Sequence, residues 1–517
     1  MQPKTAHDRR WWTLVVLSVS LLVISLDNTI LNVALPTIER DLSASSGQLQ
    51  WIVDSYTLIF AGLLLTLGAL GDRFGRRLAL VSGLVVFGAG SLISALATSA
   101  DMLIVARGIM GIGGALIMPS TLSILTNVFP AEERPKAIGI WAAVAGLGVA
   151  IGPVSGGWLL EHFDWSSVFY VNLPVVTAAL LASPILVPES GDPGKAKLDP
   201  LGAVLSTLGL GAVVWAIIEG GDSGFGDGMV VTAFGVGLAL LAAFTAWELR
   251  SKNPMLDVRL FKVRRFSGAS LSITLVFFSL FGAIFFLTTY LQGVMDLSAL
   301  EAGVRVSPVA AGLVLGGPLS AKLAERLGTR RVVAAGLAVV AVALLLLAGL
   351  EVDSGYGIVA ASLVLLGFGM GSTMAPATES IMSSLPLEHA SVGSAMNDTV
   401  RMVGGTLGVA ILGSLLSSGY GADMSRSVEG LSPGAASAAS DSLGGASAVA
   451  AQIGGSAGHA LDSAAELAFT SAMSSALIVA AGVALAGALI ALFVLPEKER
   501  ERAEKARFVA ETQAAAA

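Results

Sequence analysis

Asp27 stands inside an apolar run, in Leu26-Asp27-Asn28-Thr29-Ile30, which continues to Leu35-Pro36. A carboxylate in such surroundings is costly unless it faces a watery cavity or carries a proton, and both conditions suit a group that takes up and releases protons. Asp54, in Gln50-Trp51-Ile52-Val53-Asp54-Ser55-Tyr56, and Arg107, in Arg107-Gly108-Ile109-Met110-Gly111, open apolar runs of their own. At about 1.5 Å per residue Asp54 lies roughly 9 Å inside its run, a depth similar to that of Asp27 and Arg107. An arginine near a carboxylate favours its charged form. The three residues are therefore expected to share one cavity, with Asp27 as the proton-exchanging group, Arg107 biasing it, and Asp54 as helper or substrate countercharge.

Asn397, Asp398 and Glu379 are further candidates for contact with a substrate inside the apolar runs, with Tyr56 and Phe281 as aromatic walls. A buried cationic centre needs a nearby countercharge, and an aromatic face attracts it. Asp398 and Arg401, three apart on one helix face, also suit a pair that neutralises itself. Glu219 ends its run beside Gly220-Gly221-Asp222 and reads as interfacial. Other chemistries lack their residues. With no cysteine and four histidines, a disulfide, a thiolate nucleophile and a zinc–sulfur site are excluded and a histidine metal cage is not expected. No Gly-x-x-x-x-Gly-Lys-Ser/Thr loop and no nucleophile–base constellation is readable, so neither ATP hydrolysis nor enzymatic catalysis is expected, and no metal or cofactor. A net charge of −7 speaks against a nucleic-acid partner.

The elements that must position these groups are membrane helices. Of 517 residues, 54% are hydrophobic and 13% charged, and the mean hydropathy is +0.80; soluble chains carry about 25% charge. Apolar stretches fall at about 12–35, 48–69, 78–99, 102–125, 136–160, 166–187, 200–219, 229–248, 266–292, 302–324, 332–350, 356–382, 391–417 and 468–495. Each is close to the roughly 20 residues that cross a bilayer, giving fourteen spans in an all-α polytopic membrane protein. The first is too long for a signal peptide and no cleavage site follows it. Twenty-five of the 30 lysines and arginines lie before the first span, after the last, or in every second loop between. By the positive-inside rule both termini are expected to be cytoplasmic, in a multi-pass protein of the cell membrane.

A repeat divides the chain. Gly71-Asp72-Arg73-Phe74-Gly75-Arg76-Arg77 follows the second span, and Ala324-Glu325-Arg326-Leu327-Gly328-Thr329-Arg330-Arg331 follows the tenth. Each has an acid, a glycine three residues later and paired arginines. The expected organisation is a six-helix half over 1–190, two extra linker helices over 191–262, and a second six-helix half over 263–497. That half includes a Gly/Ala/Ser-rich outer loop, 418–467, which suits either disorder or short surface helices; a solvated, helical tail follows over 498–517.

In the turn at 71–77 the glycines allow helix ends to approach closely, and Asp72 suits a neighbouring helix N-terminus, where the dipole favours an anion. In the fifth span, Gly148, Gly152, Gly156 and Gly157 around Pro153 permit close helix contact and a bend. At these residues the chain resembles the major facilitator superfamily. The turn matches that family's loop signature nearly throughout, the fifth-span run matches its antiporter motif, and the stretch around Asp27 is similar to the first-helix signature of its fourteen-helix drug:proton antiporters. Trp51-Ile52-Val53-Asp54, Pro254-Met255-Leu256-Asp257-Val258-Arg259-Leu260-Phe261 and Gly404-Gly405-Thr406-Leu407-Gly408-Val409-Ala410 resemble the quaternary-ammonium and dye exporters of that branch. The likeness runs from about residue 11 to 497 and departs at Met110, where glutamine is usual, at Asn397-Asp398, where those exporters can carry an acidic pair, and around Leu313, where no carboxylate stands.

The resemblance implies a 6+2+6 fold and a monomer in the bilayer that exports lipophilic, mainly cationic toxicants in exchange for protons, using the proton gradient alone. It implies gating by Gly71, Asp72, Arg73, Gly75 and Arg76 and by the fifth-span glycines with Pro153. Fewer cavity acids are expected to favour monovalent or neutral substrates, and a carboxylate at Leu313 would supply a second countercharge if that position faces the cavity. A dedicated exporter of a self-made antibiotic or lipid fits the same cavity composition. A receptor or channel would instead show saturable binding without proton-dependent flux.

Overall fold

The computed structural model describes residues 9–42, 44, 46–130, 132–191, 199–251, 254, 256, 258–385 and 390–497. Every long element is a helix, as required where no water can satisfy backbone groups. In the first half these are α1 (Arg10–Leu42), α2 (Ser46–Phe74), α3 (Arg76–Ala95), α4 (Ala100–Val128), α5 (Arg134–His162), α6 (Ser167–Tyr170) and α7 (Asn172–Leu186). Then come α8 (Pro200–Ser223), α9 (Gly228–Glu248) and a short 3-10 turn (Val258–Lys262). The second half holds α10 (Arg264–Gly293), α11 (Ala299–Val306), α12 (Pro308–Leu327), α13 (Thr329–Ala348), α14 (Tyr356–Met382), α15 (Ala390–Met424), α16 (Pro433–Asp441), α17 (Leu443–Ile453) and α18 (Gly455–Val494).

Thirteen helices among the described residues are long and apolar enough to cross a membrane, compatible with fourteen spans. The remaining expected span, 136–160, falls on α5, a 29-residue helix. Two spans are broken by local chemistry. The sixth is split into α6 and α7, and the tenth into α11 and α12 at Ser307-Pro308, where the proline takes the first position of the new helix and lacks the N–H that would continue the old one. Side chains cap several starts: Ser99 accepts from the Met102 backbone N–H, Asp199 from that of Gly202, and Ser298 and Glu301 form a reciprocal capping box.

The outer loop is structured. α17 folds against the start of α18, and α16 packs on α17 and the end of α15; α18 runs for 40 residues and so begins well before the expected 468. Tyr420 donates to the Ala439 carbonyl at 3.0 Å and Ser447 to Asp462 at 2.7 Å. The side chain of Leu443 lies over Gly293 at the end of α10. The expected tail, 498–517, lies outside the described residues.

α8 packs on α2 of the first half, where Thr66 and Thr207 share a hydrogen bond of 2.9 Å, and also on α15 of the second. α9 packs on α8. On the face carrying the termini, Arg10 grips Glu133 through two hydrogen bonds of 2.7 and 2.9 Å, tying α1 to the start of α5.

α5 is the strut between the halves, and glycine serves two of its faces. Gly148, Gly152 and Gly156, four apart, lie against Ser25, Thr29 and Ile30 of α1; a methyl at Gly148 would stand 2.6 Å from the Ser25 Cβ. Gly139, Gly146 and Gly157 lie against Gly317, Leu313 and Leu300 of the second half. Leu313, considered for the cavity, is 2% exposed and fills the notch at Gly146. It seals the contact between halves, so a carboxylate there would be buried without a partner. Gly157 belongs to the set facing the second half, not to the α1 stripe. The side chain of Pro153 lies outside the described residues.

Candidate functional site

Asp27 is fully buried on the face of α1 turned away from α5. Its Oδ2 receives the Arg107 Nη1 at 2.5 Å, and its Oδ1 accepts from the Asn172 Nδ2 at 2.9 Å. Asn172, at the head of α7, also donates to Ser91 of α3 at 3.1 Å. Helices α1, α4 and α7 thus meet at one carboxylate, and α3 is linked to it through Asn172. Arg107 is 1% exposed and has partners besides Asp27: its Nε donates to the Ile52 carbonyl at 3.2 Å, its Nη1 lies 3.7 Å from the Met110 sulfur, and its guanidinium lies 4.5 Å from the Tyr56 ring centre. Met110 therefore offers a soft, weak acceptor at the position where glutamine is usual. Arg107 is thus held by three contacts that do not involve the carboxylate.

Asp54 does not share this cluster. Each residue turns a helix by about 100°, so Ile52, Ser55 and Tyr56 face α4, while Trp51, Asp54 and Leu58 face the other way. With Trp215, Ile218 and Glu219 of α8 they line a small pocket between the first half and the extra helices. Depth agreed with the expectation; helical azimuth did not. Tyr56, expected at the substrate, is enclosed in this conformation, 1% exposed, with its ring between Arg107 and Phe60.

A second polar cluster sits in the other half. Asn397 accepts from Thr378 at 3.0 Å and donates to Asp398 Oδ1 at 3.4 Å, and Arg401 Nη1 reaches the same oxygen at 3.3 Å. Glu379 is buried three residues from the end of α14, apart from the middle of the bundle. Phe281 is 45% exposed and stacks on Phe277 with centroids 5.9 Å apart.

The two repeat turns share a shape, with positive φ at Gly75 (123°) and Gly328 (85°), but not an environment. Asp72 is 4% exposed. Its Oδ1 is paired with Arg76 at 2.7 Å, and its Oδ2 accepts from the Val392 backbone N–H at 3.2 Å, at the start of α15. Those first N–H groups lack intrahelical acceptors. The turn is held from behind: the Arg76 N–H donates to the Ser190 carbonyl at 2.8 Å and the Arg77 N–H to Glu189 at 3.1 Å. The Arg73 guanidinium lies over Phe74. Glu325, by contrast, is exposed.

The family model described as Major Facilitator Superfamily matches residues 17–409. The chain is 38% identical over 483 residues to the multidrug efflux pump LfrA of Mycolicibacterium smegmatis, covering 93% of this chain and 95% of the relative. It is 34% identical over 509 residues to the tetracenomycin C resistance and export protein of Streptomyces glaucescens, covering 96% and 94%. Among solved structures, the human organic anion transporter MFSD10 shares the fold with a TM-score of 0.60 and 15% identity, over 93% of this chain and all of that one.

Proposed function

Because the chain belongs to the major facilitator superfamily, we propose that it is a proton-coupled multidrug antiporter. It exports lipophilic, mainly cationic toxic compounds such as quaternary ammonium compounds, dyes and antibiotics across the cell membrane, with both termini in the cytoplasm. It draws on the proton gradient and needs no cofactor. The observation that carries the reading is the buried Asp27–Arg107–Asn172 cluster on the helix whose opposite face rides on the glycine stripe of α5. Protonation of Asp27 dissolves its ion pair, Arg107 falls back on Ile52, Tyr56 and Met110, and α1 is released to shift along α5. Deprotonation restores the pair. Two conformations that differ in this contact then expose the bundle interior to opposite sides in turn.

The test is flux in vesicles under an imposed pH gradient, across a panel of monovalent and divalent cations and neutral drugs. Accumulation that follows the gradient is expected; saturable binding without gradient-dependent flux would point to a receptor. A second reading, a dedicated exporter of one antibiotic, is favoured by the likeness to the tetracenomycin C protein. In the same panel it would appear as flux of one compound class alone.

Asp54→Asn is expected to leave the pH dependence of export unchanged, because Asp54 faces α8 and not Asp27. Any effect should fall on the apparent affinity for cations; a loss of coupling equal to that of an Asp27 variant would tie the two acids together.

Asp72 is read as a latch that holds the terminal side shut by gripping the start of α15. An acid at a helix N-terminus contributes about 0.3–2 kcal/mol, enough to tilt balanced conformations by about twofold to roughly thirtyfold. Asp72→Asn should move the population toward the inward-facing state and slow turnover, with little loss of substrate affinity, while Glu325→Gln does less. Single cysteines placed on the two faces of this cysteine-free chain report the population by labelling. Equal labelling in parent and Asp72→Asn would show that the turn only sets topology.

A further inference from the structure

Arg401 does more than neutralise Asp398. Its guanidinium lies 4.8 Å from the ring centre of Phe277 on α10 and 5.5 Å from that of Trp141 on α5. Trp141 is fully buried and held in place by its indole N–H, which donates to Thr121 at 3.2 Å. A cation from the second half is therefore held between an aromatic wall of its own half and one of the other. The ion pair beneath it is incomplete. One guanidinium nitrogen reaches Oδ1 of Asp398 at 3.3 Å, where the strong arginine–carboxylate arrangement uses two parallel bonds. Asp398 Oδ2 is buried with no hydrogen-bond partner, a costly state for a carboxylate oxygen. Counting about 1.5 Å per residue from the helix starts, all four groups lie roughly 10–20 Å inside their helices.

We propose that Trp141, Phe277 and Asp398 form a site for a lipophilic monovalent cation and that, in this conformation, Arg401 occupies it as an internal stand-in. The inference rests on the export reading and adds to it the site and its regulation. An incoming organic cation displaces the guanidinium from between the rings and takes Asp398 as its countercharge. A tetraalkylammonium or arylphosphonium has no N–H donors, so aromatic faces and one carboxylate meet its needs, and one carboxylate sets the limit at a single charge. Displacement also removes a contact between α5 and α15, so loading weakens one tie between the halves. An empty carrier is held closed and a loaded one is freer to switch.

The experiment measures tetraphenylphosphonium binding to the purified full-length protein in lipid nanodiscs, without a gradient. Arg401→Gln, which removes the competing charge, is expected to bind at least about tenfold tighter than the parent, since an occupied site lowers apparent affinity by its occupancy. Adding Asp398→Asn should abolish that gain. Arg401→Lys keeps the charge and loses the flat stacking surface, so it should fall between parent and Arg401→Gln. Trp141→Ala should weaken binding in the Arg401→Gln background. Unchanged or weaker binding by both Arg401→Gln and Arg401→Lys would overturn the stand-in role while leaving the export reading intact. A parent and variants that all fail to bind the cation would sink the cationic-substrate reading itself.

Discussion

Asp27→Asn is expected to abolish proton-driven export while leaving expression, insertion and substrate binding near those of the parent. The amide keeps the volume of the carboxyl and one oxygen for Asn172 or Arg107, but it has no proton to exchange. The effect can be sized. For one proton exchanged per monovalent cation, a gradient of one pH unit supports about a tenfold concentration ratio, or about 1.4 kcal/mol. In the variant that ratio falls to one, whatever the rate of facilitated exchange. Counterflow of labelled against unlabelled substrate, measured with no gradient, should persist. Uphill accumulation by Asp27→Asn at the parent's level would remove Asp27 from the coupling step.

Gly152→Val is the second large effect. An added Cβ at Gly152 would overlap the Thr29 hydroxyl, and the Ile30 backbone nitrogen lies only 3.2 Å away, so the two helices must part. Overpacking of this kind costs about 1–3 kcal/mol, and a bias of that size moves a two-state balance by roughly 5- to 150-fold. Because α1 carries Asp27, export should fall with the packing even though no member of the Asp27–Arg107–Asn172 cluster is touched. Gly235→Val on α9, where an added Cβ meets nothing within 4 Å, is the matched control and should transport as the parent does. Equal activity of the two variants would show that the stripe is mere close packing with slack to spare.

The apolar runs and the charge bias made the helices legible, because each span must satisfy its own backbone and each loop must carry or lack charge. The Asp27–Arg107 pairing was legible for a related reason: two ionisable groups at one membrane depth have few ways to be paid for. The same logic applied to Asn172, a polar residue inside the sixth span, would have found the third member. Depth alone could not separate Asp54 from Asp27, since the direction a side chain takes around its helix depends on which neighbours the helix meets. The second glycine face of α5 was hidden because its positions, 139, 146 and 157, do not recur at four-residue spacing. The stacking of Arg401 between Trp141 and Phe277 joins three helices, and nothing local in any of them announces it.

The small outer cap has a practical side. α16 and α17 pack onto α18 and the end of α15, and Leu443 onto α10, so the cap is built from the second half and travels with it. Between α17 and α18 the chain turns through Gly454 and Gly455, both at positive φ and both with open space where a side chain would be. Exposed junctions of this kind accept inserted domains. A rigid protein module grafted there would stand clear of the contact between halves and turn with one of them, giving a membrane protein with little mass outside the bilayer a fiducial whose tilt records the transport cycle.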